Sequence, residues 1–238
     1  MTRLLTLTLG LFLSFSLALQ AQQSGGVKCY LLTYAPSGLP NDFQAFYRSG
    51  EEINPFRSSQ SSLGVPVLYQ GPRRFVLRAS EADFAPPAEG EAPKPPLAFV
   101  DLPAGANNVL ILALPKGETE GVRLVAYDLS TDELKKGDYR AFNFSNQAIA
   151  VKMGKQQFAL KPGQDRFVKD GSWGSEAKAL PLQVAISEGG KAKLVYSSYW
   201  EHYPQRRSLL FFFNGHHRTA PIVFSSFNAV AGAPLNQE

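Results

Sequence analysis

Histidine, the side chain best suited to metal binding and proton transfer, occurs at three of 238 positions, His202, His216 and His217. A zinc or copper site needs ligands on one side of an element, such as i and i+2 on a strand or i and i+4 on a helix. His216 and His217 are adjacent, so on a strand they point to opposite faces. His202 follows Glu201, and a metal centre would require this pair to meet His216 or His217 across two loops. Cys29 has no His-x-x-x-Met pattern behind it, and Met153 is far away in sequence, which argues against a blue-copper site. The three histidines are the metal candidates, but they read as exposed loop residues, and no cofactor is expected.

Nucleophile chemistry has no better signature. Gly171-Ser172-Trp173-Gly174 only echoes the Gly-x-Ser-x-Gly elbow and falls in a loop, not at a strand-to-helix turn. Phosphate-cradling glycine loops are missing. The adjacent carboxylates Glu51-Glu52 and Asp132-Glu133 read as solvated faces. Cys29 lies in the apolar run VKCYLLTY and reads as a small buried hydrophobe. No catalytic residue is assigned and the chain is read as a non-enzyme. The alternative is a metal-dependent envelope enzyme built on a His/Glu cluster.

Binding surfaces are the stronger carriers of function. Tyr199, Trp200, His202 and Tyr203, followed by Arg206 and Arg207, crowd one short stretch. Aromatic rings combine a large apolar face with a polar handle, which suits a sugar ring or a protein hot spot. Trp173 is placed near them. The competing reading has Tyr199 and Trp200 finish a strand and plug the end of a core. Arg73, Arg74 and Arg78 form a second basic spot. Arg74 and Arg78 share strand parity, so they would line one sheet face, either as a patch for an acidic polymer or as a charged guard on an outer face.

The elements that must position these residues are strands. Residues 138–164, DYRAFNFSNQAIAVKMGKQQFALKPGQ, read as a three-stranded meander. Ile149, Val151 and Met153 alternate with Ala150 and Lys152, a period of two. Gly154-Lys155 suits a type II′ hairpin turn and Lys161-Pro162-Gly163-Gln164 a type II turn, each with glycine where φ must be positive. Upstream, about seven strands over roughly 100 residues match an Ig-like sandwich. They include 27–34, a hairpin of 65–69 with 75–79, and the runs 97–102, 107–114 and 121–127. Residues 51–64 read as a loop, and the Pro-rich 86–96 as an exposed extended loop. Downstream, 180–187 and 191–199 read as a hairpin, 200–207 as a connection, 208–213 as a strand buried on both faces, and 222–227 as the last strand. No fixed-period repeat emerges. The expectation is all-β: two tandem Ig-like β-sandwich domains, 27–128 and 138–228, with a linker 129–137 and a flexible tail 229–238.

Residues 1–21 read as a signal peptide, with Arg3 ahead of a Leu-rich run and Ala21 at the cut. One cysteine allows no internal bridge, so each fold must rest on its apolar core, for which 17 Phe and 44% hydrophobic residues are ample. An exported chain without disulfides fits a bacterial periplasm or the extracellular space. Net charge is +4 and no Lys/Arg-rich run occurs, so nucleic acid is not implied. After signal cleavage no membrane span is expected; Leu19, a poor residue three places before the cut, leaves an uncleaved anchor as the alternative.

The layout resembles the periplasmic pilus chaperones, whose Ig-like domains offer a donor strand of alternating apolar residues; Val109, Ile111 and Ala113 are the nearest equivalent. Residues 138–164 are similar in texture to the second domain of the accessory proteins of exopolysaccharide acetylation. Neither likeness carries a residue role across. The expected function is a binding or accessory module for a protein or polysaccharide of the cell envelope, with a periplasmic chaperone-like protein as the alternative.

Overall fold

The computed structural model describes residues 26–37, 39, 43–116, 121–169, 173, 176–217 and 220–229. The expected signal peptide, and the expected tail beyond Ala229, lie outside them. The protein is all-β: among the described residues there are sixteen strands and a single 3-10 turn, Glu81–Phe84. No helix among them is long and apolar enough to cross a membrane.

The first eight strands are β1 (Val27–Tyr34), β2 (Phe46–Ser49), β3 (Glu52–Pro55), β4 (Val67–Gly71), β5 (Arg74–Leu77), β6 (Ala98–Asp101), β7 (Asn108–Pro115) and β8 (Val122–Asp128). They form one sheet of order β4-β1-β7-β8, in which β1 runs parallel to β7. The hairpins β2–β3 and β5–β6 join through a bridge between Phe46 and Arg78. The last eight are β9 (Tyr139–Asn143), β10 (Ile149–Met153), β11 (Gln156–Leu160), β12 (Asp165–Val168), β13 (Lys178–Glu188), β14 (Lys191–His202), β15 (Ser208–His217) and β16 (Ala220–Asn228). Their sheets are β12-β9-β15-β16, with β9 parallel to β15, and β11-β10-β13-β14. Raising each label of the first half by eight gives the second half. The repeat is one of topology, and it leaves no sequence period because any apolar residue satisfies the alternation.

That alternation builds three cores. From the first sheet, Cys29, Leu31, Val109, Ile111 and Ala113 pack on Tyr47, Phe75 and Leu77 of the hairpins. In the second half, Tyr139, Ala141, Leu210 and Phe212 pack on Val151, Met153, Leu182 and Val184. The remaining faces of the two central sheets meet each other: Leu32, Tyr34, Leu110 and Leu112 against Phe142, Leu209 and Phe211. Four layers result, and β7 and the apolar part of β15 are buried on both faces. The expected two-sided burial of 208–213 is found. The donor-strand reading of Val109, Ile111 and Ala113 is not: all three are fully buried on a strand flanked by β1 and β8. Arg140 crosses the middle core with its charge met. Its Nε lies 2.7 Å from Asp165, Nη1 donates to the Asp128 carbonyl, and the guanidinium stacks 4.5 Å over Phe167.

Several local expectations are corrected. β3 lies within the expected loop 51–64, paired to β2 around Gly50. β4 and β5 do not form a hairpin: β4 pairs with β1 and β5 with β6. The Tyr69 phenol reaches under the chain to the Pro72 carbonyl at 2.8 Å, and a Cβ on Gly71 would stand 2.6 Å from that hydroxyl. The chain therefore changes sheets there. The meander is broken in the same way. Asn143 is fully buried, its amide donating to the carbonyls of Gln147 and Leu160 and its Oδ1 accepting from Ser145. This side-chain network turns the chain, so β9 and β10 end in different sheets. The two turns match expectation. Gly154 has φ 57° in the β10–β11 hairpin, and Gly163 has φ 75° in a turn closed by Gln164 N–H on the Lys161 carbonyl. The Pro-rich 86–96 is exposed, and Arg48 and Arg78 hold its flanks by donating to the carbonyls of Phe84 and Lys94.

Burial raises the Cys29 thiol pKa to about 12, and the Tyr69 phenol, beside it in the same core, also to about 12. Both groups stay protonated in the fold at pH values where the unfolded chain ionises, so the unfolded state binds fewer protons. Stability is expected to fall from about pH 9 upward, steepening past pH 10, when followed by urea midpoints. A flat profile from pH 8 to 11 would show that neither group is held neutral.

Candidate functional site

β13 and β14 pair from Lys178↔His202 to Glu188↔Lys191, around Gly189 and Gly190 at positive φ. β14 thus runs through residues 200–202, which read as a connection from sequence alone. Strand alternation then sorts the aromatic cluster into two sets. Trp200 and His202 face the core, and Tyr199 and Glu201 face out. His202 is fully buried, its Nδ1 2.8 Å from the Tyr139 hydroxyl, which also accepts the Trp200 indole N–H at 3.3 Å. Trp173 is buried too, edge-on to Tyr139 and to His202.

Of the expected binding residues, Tyr199, Trp200, Tyr203 and Arg206 come together, and Trp173 and Arg207 do not join them. The Arg207 guanidinium is buried and donates to the carbonyls of Leu129 and Ala229, each at 2.8 Å. Burial lowers its pKa. The four that meet line an open groove of about 460 Å³ with Glu201, Ser208, Ser226, Phe227 and Asn228. Tyr199 is 76% exposed. The Arg206 guanidinium lies 4.2 Å over the Tyr203 ring, and the Tyr203 hydroxyl donates to Glu201. That bond to the carboxylate raises the phenol pKa.

Sequence reading missed the far wall, Ser226 to Asn228. It reaches the groove because β15 and β16 pair from Ser208↔Asn228. No local signal announces that pairing. The neighbouring hollow, about 590 Å³, lies past Asn228 and is lined by Leu134, Lys135, Lys136 and Gln205 among others.

The second basic spot is occupied by the protein itself. Arg74 pairs with Asp101 at 3.1 Å and stacks on Phe99, and its guanidinium holds the Asp101 carboxyl below the usual carboxylate range. Arg78 donates to Lys94 and stacks on Phe84. The metal constellation is not assembled either. His202 lies at the end of β14 beside Tyr139, level with Ser208 at the start of β15. His217 is exposed at the far end of that ten-residue strand, about 30 Å along it. The His216 side chain lies outside the described part. Among the described residues no group of three or more His, Cys, Asp or Glu is placed to hold a metal ion.

No protein-family model matches this chain. No curated protein matches it either.

Trp200 and Tyr199 separate core from surface. Trp200 packs edge-on to Phe224 and bonds Tyr139, so Trp200→Ala is expected to cost roughly 2–3 kcal/mol in denaturant unfolding. Tyr199→Ala should stay within about 0.5 kcal/mol of the parent, as exposed substitutions do. Equal losses at both positions would place Tyr199 in the core as well.

Proposed function

We propose that this protein is an exported, non-catalytic module that binds a protein or polysaccharide partner of the cell envelope through the groove of Tyr199, Tyr203 and Arg206. The observation that carries this reading is a large aromatic ring left open to solvent beside a stacked Arg–Tyr pair, in a groove with polar groups on both walls. Flat rings ringed by hydrogen-bonding groups are what sugar faces and interface hot spots use. Export is supported by Arg3 and the Leu-rich run after it, and the lone cysteine fits a bacterial envelope better than a cysteine-rich eukaryotic secreted domain. The two strand sets are read as tandem Ig-like sandwiches.

The test is retention of a glycan panel and of envelope components by the immobilised chain from residue 22, for the parent and for Tyr199→Ala. The variant should lose about tenfold in affinity, about 1.4 kcal/mol, while its thermal midpoint holds. Unchanged retention would move the binding surface elsewhere on the molecule.

A further inference from the structure

The charge around the groove points to its ligand. We propose that it takes an acidic polysaccharide, a chain of uronate-type sugars laid across both hollows; this rests on the binding role proposed above.

The two hollows, about 460 and 590 Å³, share Asn228. Gly137 N–H donates to the Arg206 carbonyl at 2.8 Å, which lays the turn ending at Lys136 along the 203–207 connection. Lys135 and Lys136 therefore stand on the same rim as Arg206. All three are exposed, and none makes an ion pair among the described residues. Among the described residues Glu201 is the one carboxylate lining either hollow, and the Tyr203 hydroxyl already engages it. Asp132 and Glu133 share the lysine turn but line neither hollow. Arg207 is spent on two carbonyls. Three cations without an ion pair, beside two adjoining open hollows, complement a polymer carrying repeated negative charge.

Two features favour a sugar chain over an acidic peptide. Tyr199 and the Arg206–Tyr203 stack present flat faces suited to pyranose rings. A peptide would be expected to add to a sheet edge. The two edge strands that wall the groove, β14 and β16, pack on each other, Trp200 edge-on to Phe224 at 5.9 Å, and β14 is distorted by a register shift opposite Val184/Ala185.

The chain from residue 22 is titrated with polygalacturonate, neutral dextran and polyglutamate, at low and at high salt. Polygalacturonate is expected to bind, to weaken about tenfold at high salt, and to lose about tenfold in affinity in Lys135→Ala/Lys136→Ala with an unchanged thermal midpoint. Tyr199→Ala should weaken it as well. Dextran bound as tightly, and still sensitive to Tyr199→Ala, would overturn the acidic class and leave the binding role standing. Polyglutamate bound as tightly as polygalacturonate would overturn the sugar. If polygalacturonate fails while Tyr199-dependent capture of an envelope component persists, the inference falls alone; if both fail, both fall.

Discussion

Residues 27–129 made alone are expected to aggregate or to remain loosely packed, although they contain eight strands and a core of their own. Cutting there lays bare Leu32, Tyr34, Leu110, Leu112 and Leu114, which the second half covers. Burying a large apolar side chain is worth about 1.5–3 kcal/mol, so five of them amount to something on the order of 10 kcal/mol. A domain's whole stability is about 5–15 kcal/mol. The newly exposed surface would also be a contiguous flat sheet face, the form most prone to self-association. Size-exclusion chromatography and dye binding of the fragment check this. A soluble monomer with a sharp unfolding transition would show that the middle core is dispensable.

The second large effect is expected at Phe211. Its ring meets Tyr34 and Phe227 at 4.9 and 5.9 Å and stacks with Phe142 at 4.8 Å, with Phe144 and Phe213 further along the row. Phe211→Ala should cost about 3–5 kcal/mol, because a rigid cluster of rings on two sheets cannot collapse into the space. Calorimetry should still show a single transition at a lower midpoint, since the ring belongs to the seam that couples the halves. Two separate transitions in the parent protein would contradict that coupling.

How much of this was legible beforehand divides along the range of the interactions. Turns at Gly154 and at Pro162-Gly163 are decided by the residues within them, and they are found as expected. The apolar run 208–213 announces burial on both faces because every position after Ser208 is hydrophobic. Pairing partners are another matter. β4 with β5, and β9 with β10, read as neighbours from proximity in sequence, but Tyr69 and Asn143 redirect the chain through contacts that no alternation pattern encodes. The site shows the same split. Tyr199, Tyr203 and Arg206 were visible as a local cluster. Removing Trp173 and Arg207 from it, and adding Ser226 to Asn228, required knowing that β14 extends to His202 and that β15 pairs with β16.

The two halves use the same sheet of the same strand order to face each other. That is how subunits of a two-fold dimer meet, each presenting an identical patch. Here a single polypeptide supplies both patches, so their association never depends on concentration. Permanent company of this kind leaves each member's outer face free: the groove of Tyr199 lies on the C-terminal unit, and its sibling backs the sheet that carries Ser208.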